Sequence, residues 1–347
     1  MRVLVTGGAG FIGSHFVEAA ERAGHQVEIV DGLNYAGRRA NLAPNRALHR
    51  ADICDRWAME VIFEAFRPDA VVHLAAESHV ARSIESRDEF LRTNVMGTNT
   101  LLEVALEYWR AEDHDDRFRF LHVSTDEVYG SLGPTEAPWT EASPYAPNNP
   151  YAASKAASDH LVRSYWRTFG LPTLITHSSN NYGPRQHPEK LIPTLIHQVM
   201  AGDAMTLHGR GENIRDWLHV TDHCDGLLAA LRHGAPGETY NVGGECERTN
   251  LQIAHLVHVV TKALTTPGAR MNRDRVEIVN DRDVAAAMAP NIELVGDRPG
   301  NDARYASNVS KARETLGWRP GLQLAARLAD TILWYLDNPS YHLDYGH

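Results

Sequence analysis

The residues that most narrow the choice of fold stand at the start, where the apolar run Arg2-Val3-Leu4-Val5-Thr6 passes directly into Gly7-Gly8-Ala9-Gly10-Phe11-Ile12-Gly13. Gly8, Gly10 and Gly13 satisfy G-x-G-x-x-G between a buried-strand pattern and a helical one carried by Phe16, Val17 and Ala20. Glycines at these places allow a tight turn, a close backbone approach to a pyrophosphate and close helix packing, with the helix N-terminus facing the anion. A second strand, Gln26-Val27-Glu28-Ile29-Val30, ends in Asp31, at the offset of about 20 residues where an acid hydrogen-bonds the adenosine ribose. A carboxylate there repels a 2′-phosphate, so the expected cofactor is NAD. Arg38 and Arg39, the nearest basic pair, lie further on and are expected to be surface charges.

The same alternation continues. Residues 48–52 predict a third strand, after which Asp52 and Ile53 meet adenine or, for Asp52, cap the next helix. Residues 70–76 predict a fourth, whose small final residues, Ala75 and Ala76, let the backbone approach a dinucleotide. Helical spacing of Val95, Leu101, Leu102, Val104, Ala105 and Tyr108 predicts a crossover helix over 94–109. A strand over 118–124, a long helix over 151–169 and a sixth strand over 172–177 follow. The fold class expected is α/β, a Rossmann-type doubly wound parallel sheet with right-handed connections and a smaller, discontinuous C-terminal substrate domain. Residues 1–177 are expected to form the NAD-binding domain, with 218–247 returning to it through a strand and turn at 237–244. Residues 178–217 and 248–330 are expected to bind the substrate. The proline-rich stretch 134–150 reads as an exposed loop that delivers Tyr151 to the cleft. Pro267, Gly268 and the charged run 270–275 suggest another loop, and 284–288 a short helix.

Composition excludes several classes. At 347 residues, 43% hydrophobic and 22% charged, the chain is neither disordered nor collagen-like. No apolar run approaches the roughly 20 residues of a membrane helix, so no membrane partner and a cytoplasmic location are expected. Three widely spaced cysteines, Cys54, Cys224 and Cys246, suggest buried thiols and neither a disulfide framework nor a metal site. A formal charge of -10 argues against a nucleic-acid partner.

The chemistry gathers around Ser124-Thr125-Asp126-Glu127-Val128-Tyr129-Gly130, at the carboxyl end of the fifth predicted strand, where open α/β sheets place their sites. Adjacent acids there read either as a solvated turn or as paired carboxyls. Tyr151 and Lys155, four residues apart, share one helix face, where the ammonium is expected to pull the phenol below its reference value near 10. His73 reads as a packed strand residue, and Ser78 and His79 as substrate contacts or plain loop residues. The polar stretch 178–185 followed by Pro188-Glu189-Lys190-Leu191-Ile192-Pro193 reads as a binding loop opening a helix. Arg210, Arg215 and Arg298, set among glycines or next to proline, suit a bidentate grip on phosphate, although arginines are also common surface residues.

Taken together, the glycine turn, Ala75-Ala76-Glu77-Ser78-His79-Val80, the 124–130 stretch, Tyr151 with Lys155, Asn180-Asn181-Tyr182-Gly183-Pro184, the 188–193 segment, Ile214-Arg215-Asp216-Trp217 and Asp297-Arg298-Pro299-Gly300 closely resemble the dTDP-glucose 4,6-dehydratases. These are extended short-chain dehydrogenase/reductase enzymes, and the resemblance covers nearly the whole chain. The triplet Thr125-Asp126-Glu127 selects dehydration over simple C4 inversion. The resemblance implies that Tyr151, supported by Lys155, takes the 4-hydroxyl proton while Thr125 orients the hydroxyl. Glu127 then removes the C5 proton and protonated Asp126 donates to the departing 6-hydroxyl. It implies that Gly7, Gly10, Phe11, Ile12, Gly13, Asp31, Asp52, Ile53, Ala75, Tyr151 and Lys155 hold NAD. Ser78, His79, Asn180, Glu189, Lys190, Leu191, Arg215, Asn250, Arg298 and Tyr305 would hold a nucleotide sugar, in a homodimer built on the 94–109 and 151–169 helices. Thr206, His208 and Arg185 depart from the family pattern near the base-binding loops, as do Ala81 and Asn301 near the substrate loops. A dTDP-sugar is therefore the first choice, with UDP-, CDP- or GDP-hexoses still open. A 4-epimerase or decarboxylase of the same fold, and a non-catalytic NAD-binding regulator, are the other readings.

Overall fold

A computed structural model of the chain describes residues 1–113, 116–265, 290–321 and 323–341. The first half runs β1 (Arg2–Thr6), α1 (Phe11–Arg22), β2 (Gln26–Asp31), β3 (His49–Arg50), α2 (Arg56–Phe66) and β4 (Ala70–His73). Short helices α3 (Val80–Glu85) and α4 (Arg87–Phe90) and a π-helical turn (Leu91–Gly97) lead into α5 (Thr98–Ala111), then β5 (Arg119–Thr125), α6 (Pro150–Phe169) and β6 (Thr173–Ser178). Beyond these come β7 (Asn180–Tyr182), α7 (Leu191–Ala201), β8 (Met205–His208), β9 (Ile214–His219), α8 (Val220–His233), β10 (Thr239–Val242), β11 (Glu247–Thr249), α9 (Asn250–Thr265), β12 (Ile292–Val295) and α10 (Leu324–Asp337).

Seven strands pair in the order β10-β6-β5-β4-β1-β2-β3, all parallel, as the α/β alternation predicts. The chain winds one way from β1 to β3 and the other way from β4 to β10, which opens a crevice at the carboxyl ends beside β1. Register fixes what reaches that edge. Thr6 stands opposite both Val30 and His73, His73 opposite His122, and Thr125 opposite Ser178. The glycine turn, Asp31, Ala75 and Thr125 therefore all emerge on one rim.

One face of the sheet is covered by α1 and α8, through Phe16, Val17, Leu227 and Leu231. The other is covered by α2, α5 and α6, through Phe63, Leu101, Leu102 and Val162. Each such side chain, fully buried, contributes about 1.5–3 kcal/mol. A third core joins α7, α9 and α10 with β8 and β9. Val309, Ala312, Leu316 and Trp318, which fall in the stretch expected to bind substrate, pack instead into the α1/α8 core. The long helix α6 begins where its sequence says it should. Asn149 Oδ1 accepts from Ala152 N at 2.8 Å, Pro150 occupies the first turn, and Gly170 closes it in the left-handed region at φ 76°.

Several local expectations need correction. Strand β3 is only two residues long, and β4 stops at His73, so Leu74 to Ser78 leave the sheet and run along the crevice. The 134–150 stretch is not simply exposed. Trp139 and Asn149 are buried, and Trp139 N donates to Ala306 O at 2.9 Å, pinning the loop to the C-terminal part. Arg38 is not a bare surface charge, since its guanidinium lies 4.5 Å from the Tyr341 ring centroid and donates to Tyr341 O. Of the three free cysteines only Cys224 is buried. The loop expected at 267–275 and the helix at 284–288 lie outside the described residues. No helix among the described residues is long and apolar enough to cross a membrane.

Candidate active site

The crevice is one continuous cleft with two lobes that share Ser78, Glu127, Asn180, Glu189 and Lys190. Gly7, Gly10, Phe11, Ile12, Gly13, Asp31, Asp52, Ile53, Ala75, Thr125, Tyr151 and Lys155 all line the first lobe. The glycine turn leaves no room for side chains. Gly7 has φ +71°, and a Cβ there would lie 2.6 Å from Ala75 N, while one on Gly13 would lie 2.1 Å from Gly7 O. Asp31 is held in place by its own backbone surroundings, its Oδ2 accepting from Ala9 N at 2.9 Å and its Oδ1 from Leu33 N at 2.8 Å. Burial pushes its carboxyl up and those two N–H groups pull it back. Asp52 accepts from Cys54 N at 2.9 Å and from Arg92 at 2.7 Å. These contacts outweigh its burial and hold it below the usual carboxylate range. A bare glycine turn at a helix N-terminus, an acid at the next strand end and an apolar side chain at Ile53 fit a dinucleotide.

The junction of the lobes holds the reactive groups. Thr125 ends β5 and Tyr151 lies in the first turn of α6, and both line the first lobe. Lys155 follows one turn later, its Nζ donating to Val123 O at 2.8 Å. Glu127 Oε2 accepts from Asn149 Nδ2 at 3.2 Å, so the residue that caps α6 also orients a cleft carboxylate. Burial raises Glu127, while Asn149, Arg215 and Lys190 pull it back.

Two expectations fail here. Burial, with the Glu127 charge next, pushes the Tyr151 phenol above its ordinary value rather than below it; Lys155 bonds a backbone carbonyl and does not offset that burial. Asp126 does not line the cleft. It is 1% exposed behind the wall, with Oδ2 lacking a hydrogen-bond partner, and burial, Glu127 and Asp216 together push its carboxyl well up. Its surroundings thus favour the protonated form.

The second lobe gathers Ser78, His79, Asn180, Glu189, Lys190, Leu191, Arg215, Arg298 and Tyr305. Arg215 is braced by Asn301 Oδ1 at 3.0 Å and Asp302 O at 2.8 Å, and its guanidinium lies 4.2 Å from the Tyr305 ring centroid. Arg298 Nε is buried without a hydrogen-bond partner, an orphan donor in a lobe that holds three cationic side chains. Burial, and then the charges of Lys190, Arg298 and Arg82, push His79 down to about 4, so it is neutral.

Asn250 is not brought to the cleft; it opens α9, and its N–H donates to Asn213 O at 3.0 Å. Arg210 pairs with Glu212 on the surface. Arg185 reaches the first lobe but is spent on Glu18 at 2.6 Å and Asn41 O at 2.9 Å. Thr206 bonds Gln198, and His208 bonds Gly296 O. Neither lines the cleft. Tyr35, Glu77, Asn149, Asn181 and Gln186 line it without having been singled out from the sequence. Asn149, an asparagine directly before a helix-opening proline, carried a readable signal, and Glu77 and Asn181 stood inside the quoted motifs without a role of their own.

Comparison with known proteins places the chain in a family. Residues 4–331 match the family model described as GDP-mannose 4,6 dehydratase. The chain is 46% identical over 349 residues to a dTDP-glucose 4,6-dehydratase of Neisseria meningitidis, covering 98% of this chain and 94% of that one. The DesIV dTDP-glucose 4,6-dehydratase of Streptomyces venezuelae, solved with NAD bound, is 41% identical with a TM-score of 0.84, covering 99% and 100% of the two chains. A UDP-glucose 4-epimerase of Thermotoga maritima shares the fold with a TM-score of 0.83 at 28% identity, covering 98% and 100%. The chain belongs to the dTDP-glucose 4,6-dehydratase family of extended short-chain dehydrogenases/reductases.

Proposed function

We propose that the chain is an NAD-dependent hydro-lyase that converts dTDP-glucose to dTDP-4-keto-6-deoxyglucose. The observation that carries this reading is the meeting of Tyr151 and Lys155 with Thr125 and Glu127 at one junction of the cleft, in a chain 46% identical along its length to an enzyme of that activity. NAD, which the glycine turn, Asp31, Asp52, Ile53 and Ala75 would hold, would supply a reversible hydride acceptor and a positive charge favouring the Tyr151 phenolate. Tyr151 takes the 4-hydroxyl proton, with Thr125 at the same lobe orienting that hydroxyl and Lys155 supplying positive charge. The 4-ketone so formed acidifies C5–H, and Glu127 is the base that removes it. Asp126, whose protonated form burial and Glu127 favour, is the acid for the departing 6-hydroxyl. Its carboxyl has to open toward the sugar for that step. Glu127 returns its proton to C5 as the hydride arrives at C6, so each turnover leaves a proton on Tyr151 and one missing from Asp126, and one proton passes between them or through solvent before the next.

Arg215, Arg298 and Lys190 are the cations available to the diphosphate. We also propose a homodimer, since Leu91, Met96 and Phe169 are exposed apolar residues beside or on α5 and α6, and a cytoplasmic setting, which the three free thiols suit. Incubation of the purified protein with a panel of nucleotide-glucoses, followed by mass spectrometry, tests the function. Loss of one water from dTDP-glucose is expected; a product that keeps its 6-hydroxyl would assign the chain to the epimerases instead.

A further inference from the structure

Two stretches far apart in the sequence wall the first lobe. One is the loop after β2, where Gly32, Asn34, Ala36 and Gly37 line the cleft beside Asp31. The other follows β7 and brings Arg185 and Gln186 to the same lobe. Each stretch holds a residue other than glycine in the left-handed region, Leu33 at φ 52° and Arg185 at φ 65°. Such a residue keeps that conformation only where its surroundings hold it.

Part of what holds them lies outside the cleft, just past the end of α10. Tyr341 is buried and lines neither lobe. Its hydroxyl lies 2.7 Å from Arg185 O and 2.9 Å from Asn41 Oδ1, so one donor is shared between the two stretches. Asn41 passes the contact inward. Its Nδ2 donates to Ala9 O at 2.8 Å, Arg38 N donates to the same carbonyl at 2.9 Å, and Ala9 N is the donor that holds Asp31. The Arg38 guanidinium, over the Tyr341 ring, donates back to Tyr341 O at 3.0 Å. Tyr335, on α10 itself, donates to Gln186 O at 2.7 Å, so two tyrosines take consecutive carbonyls of one cleft wall. The Trp334 ring meets Tyr341 edge-on at 4.8 Å between centroids, which ties the contact to the third core.

We propose that Tyr341 is a positioning residue for the cofactor: it straps the loop after β2 to the Arg185 stretch from outside the cleft and so keeps NAD from leaving between the two hydride transfers. The role rests on the reading of the glycine turn and Asp31 as the NAD cradle. Retention matters to this reaction because a cofactor lost in mid-cycle carries the hydride away and leaves the sugar oxidised at C4 and unreduced at C6. Tyr341 touches neither sugar nor cofactor; it acts through Asn41, Arg38 and Arg185.

NAD-loaded full-length protein is diluted into excess isotope-labelled NAD, and the unlabelled cofactor still bound is followed by mass spectrometry. Tyr341→Phe keeps the ring and removes the shared donor, and is expected to speed NAD release about tenfold. In turnover of dTDP-glucose without added NAD the variant loses activity over successive cycles, and excess NAD restores its kcat to the wild-type value. Release at the wild-type rate overturns the proposal. So does a kcat deficit that excess NAD leaves in place, which makes Tyr341 a packing residue alone. Should Tyr341→Phe not fold, Arg38→Gln decides on the same two readouts, since it frees the Tyr341 ring and carbonyl from the loop. A wild type that binds no NAD sinks the cofactor reading and the strap together, whereas equal release from wild type and variant strikes the strap alone.

Discussion

Glu127 shows how one carboxyl is tuned by contacts distant in sequence: burial raises it, while Asn149, Arg215 and Lys190 pull it back. Replacing it by glutamine preserves the shape and removes the base. Glu127→Gln is expected to lower water-forming turnover by roughly 10²–10⁴-fold while the purified protein keeps its NAD, read by product mass and cofactor absorbance. Unchanged turnover would take Glu127 out of its role. At this scale the sequence was most legible where chemistry is contiguous, as in Thr125-Asp126-Glu127 and the Tyr151–Lys155 spacing. The depth of Asp126 was not legible, because Arg215 and Asp216, which surround it, come from β9. The rise in the Tyr151 phenol was hidden for a similar reason, since burial is a property of the fold.

Among the elements, α6 links stability to chemistry through its cap. Asn149 Oδ1 closes the helix N-terminus while its Nδ2 holds Glu127. Asn149→Ala is therefore expected to cost about 1 kcal/mol in urea unfolding and, by loosening the base, to lower kcat on the order of tenfold. A stability loss with kcat untouched would make the residue a cap alone. Strand β1, the glycine turn and α1 were readable because pattern and punctuation coincide there. The two-residue β3 and the π-helical turn at Leu91–Gly97 were not. Strand length is set by what the neighbour pairs with, and the π turn packs against α4, α5 and α6, none of which a local pattern reports.

For the whole molecule, alternation of strands and helices was enough to foresee the parallel sheet and its crevice. The third core was less visible, because α7, α9 and α10 meet from separate stretches and β12 pairs with β8 across the residues left undescribed. The exposed Leu91, Met96 and Phe169 give the surface its own test. Light scattering is expected to return twice 38.6 kDa, and Met96→Glu to shift the mass toward the monomer. A monomeric wild type would remove the dimer.

The central claim is that one sugar ring is oxidised at C4, loses water across C5 and C6, and is reduced at C6 within a single cleft. The most direct measurement follows deuterium from dTDP-glucose labelled at C4, with the product read by NMR and mass. The account predicts a 4-keto sugar that has lost one water and carries the deuterium on its C6 methyl. Deuterium still on C4 in a product that keeps its 6-hydroxyl would contradict it.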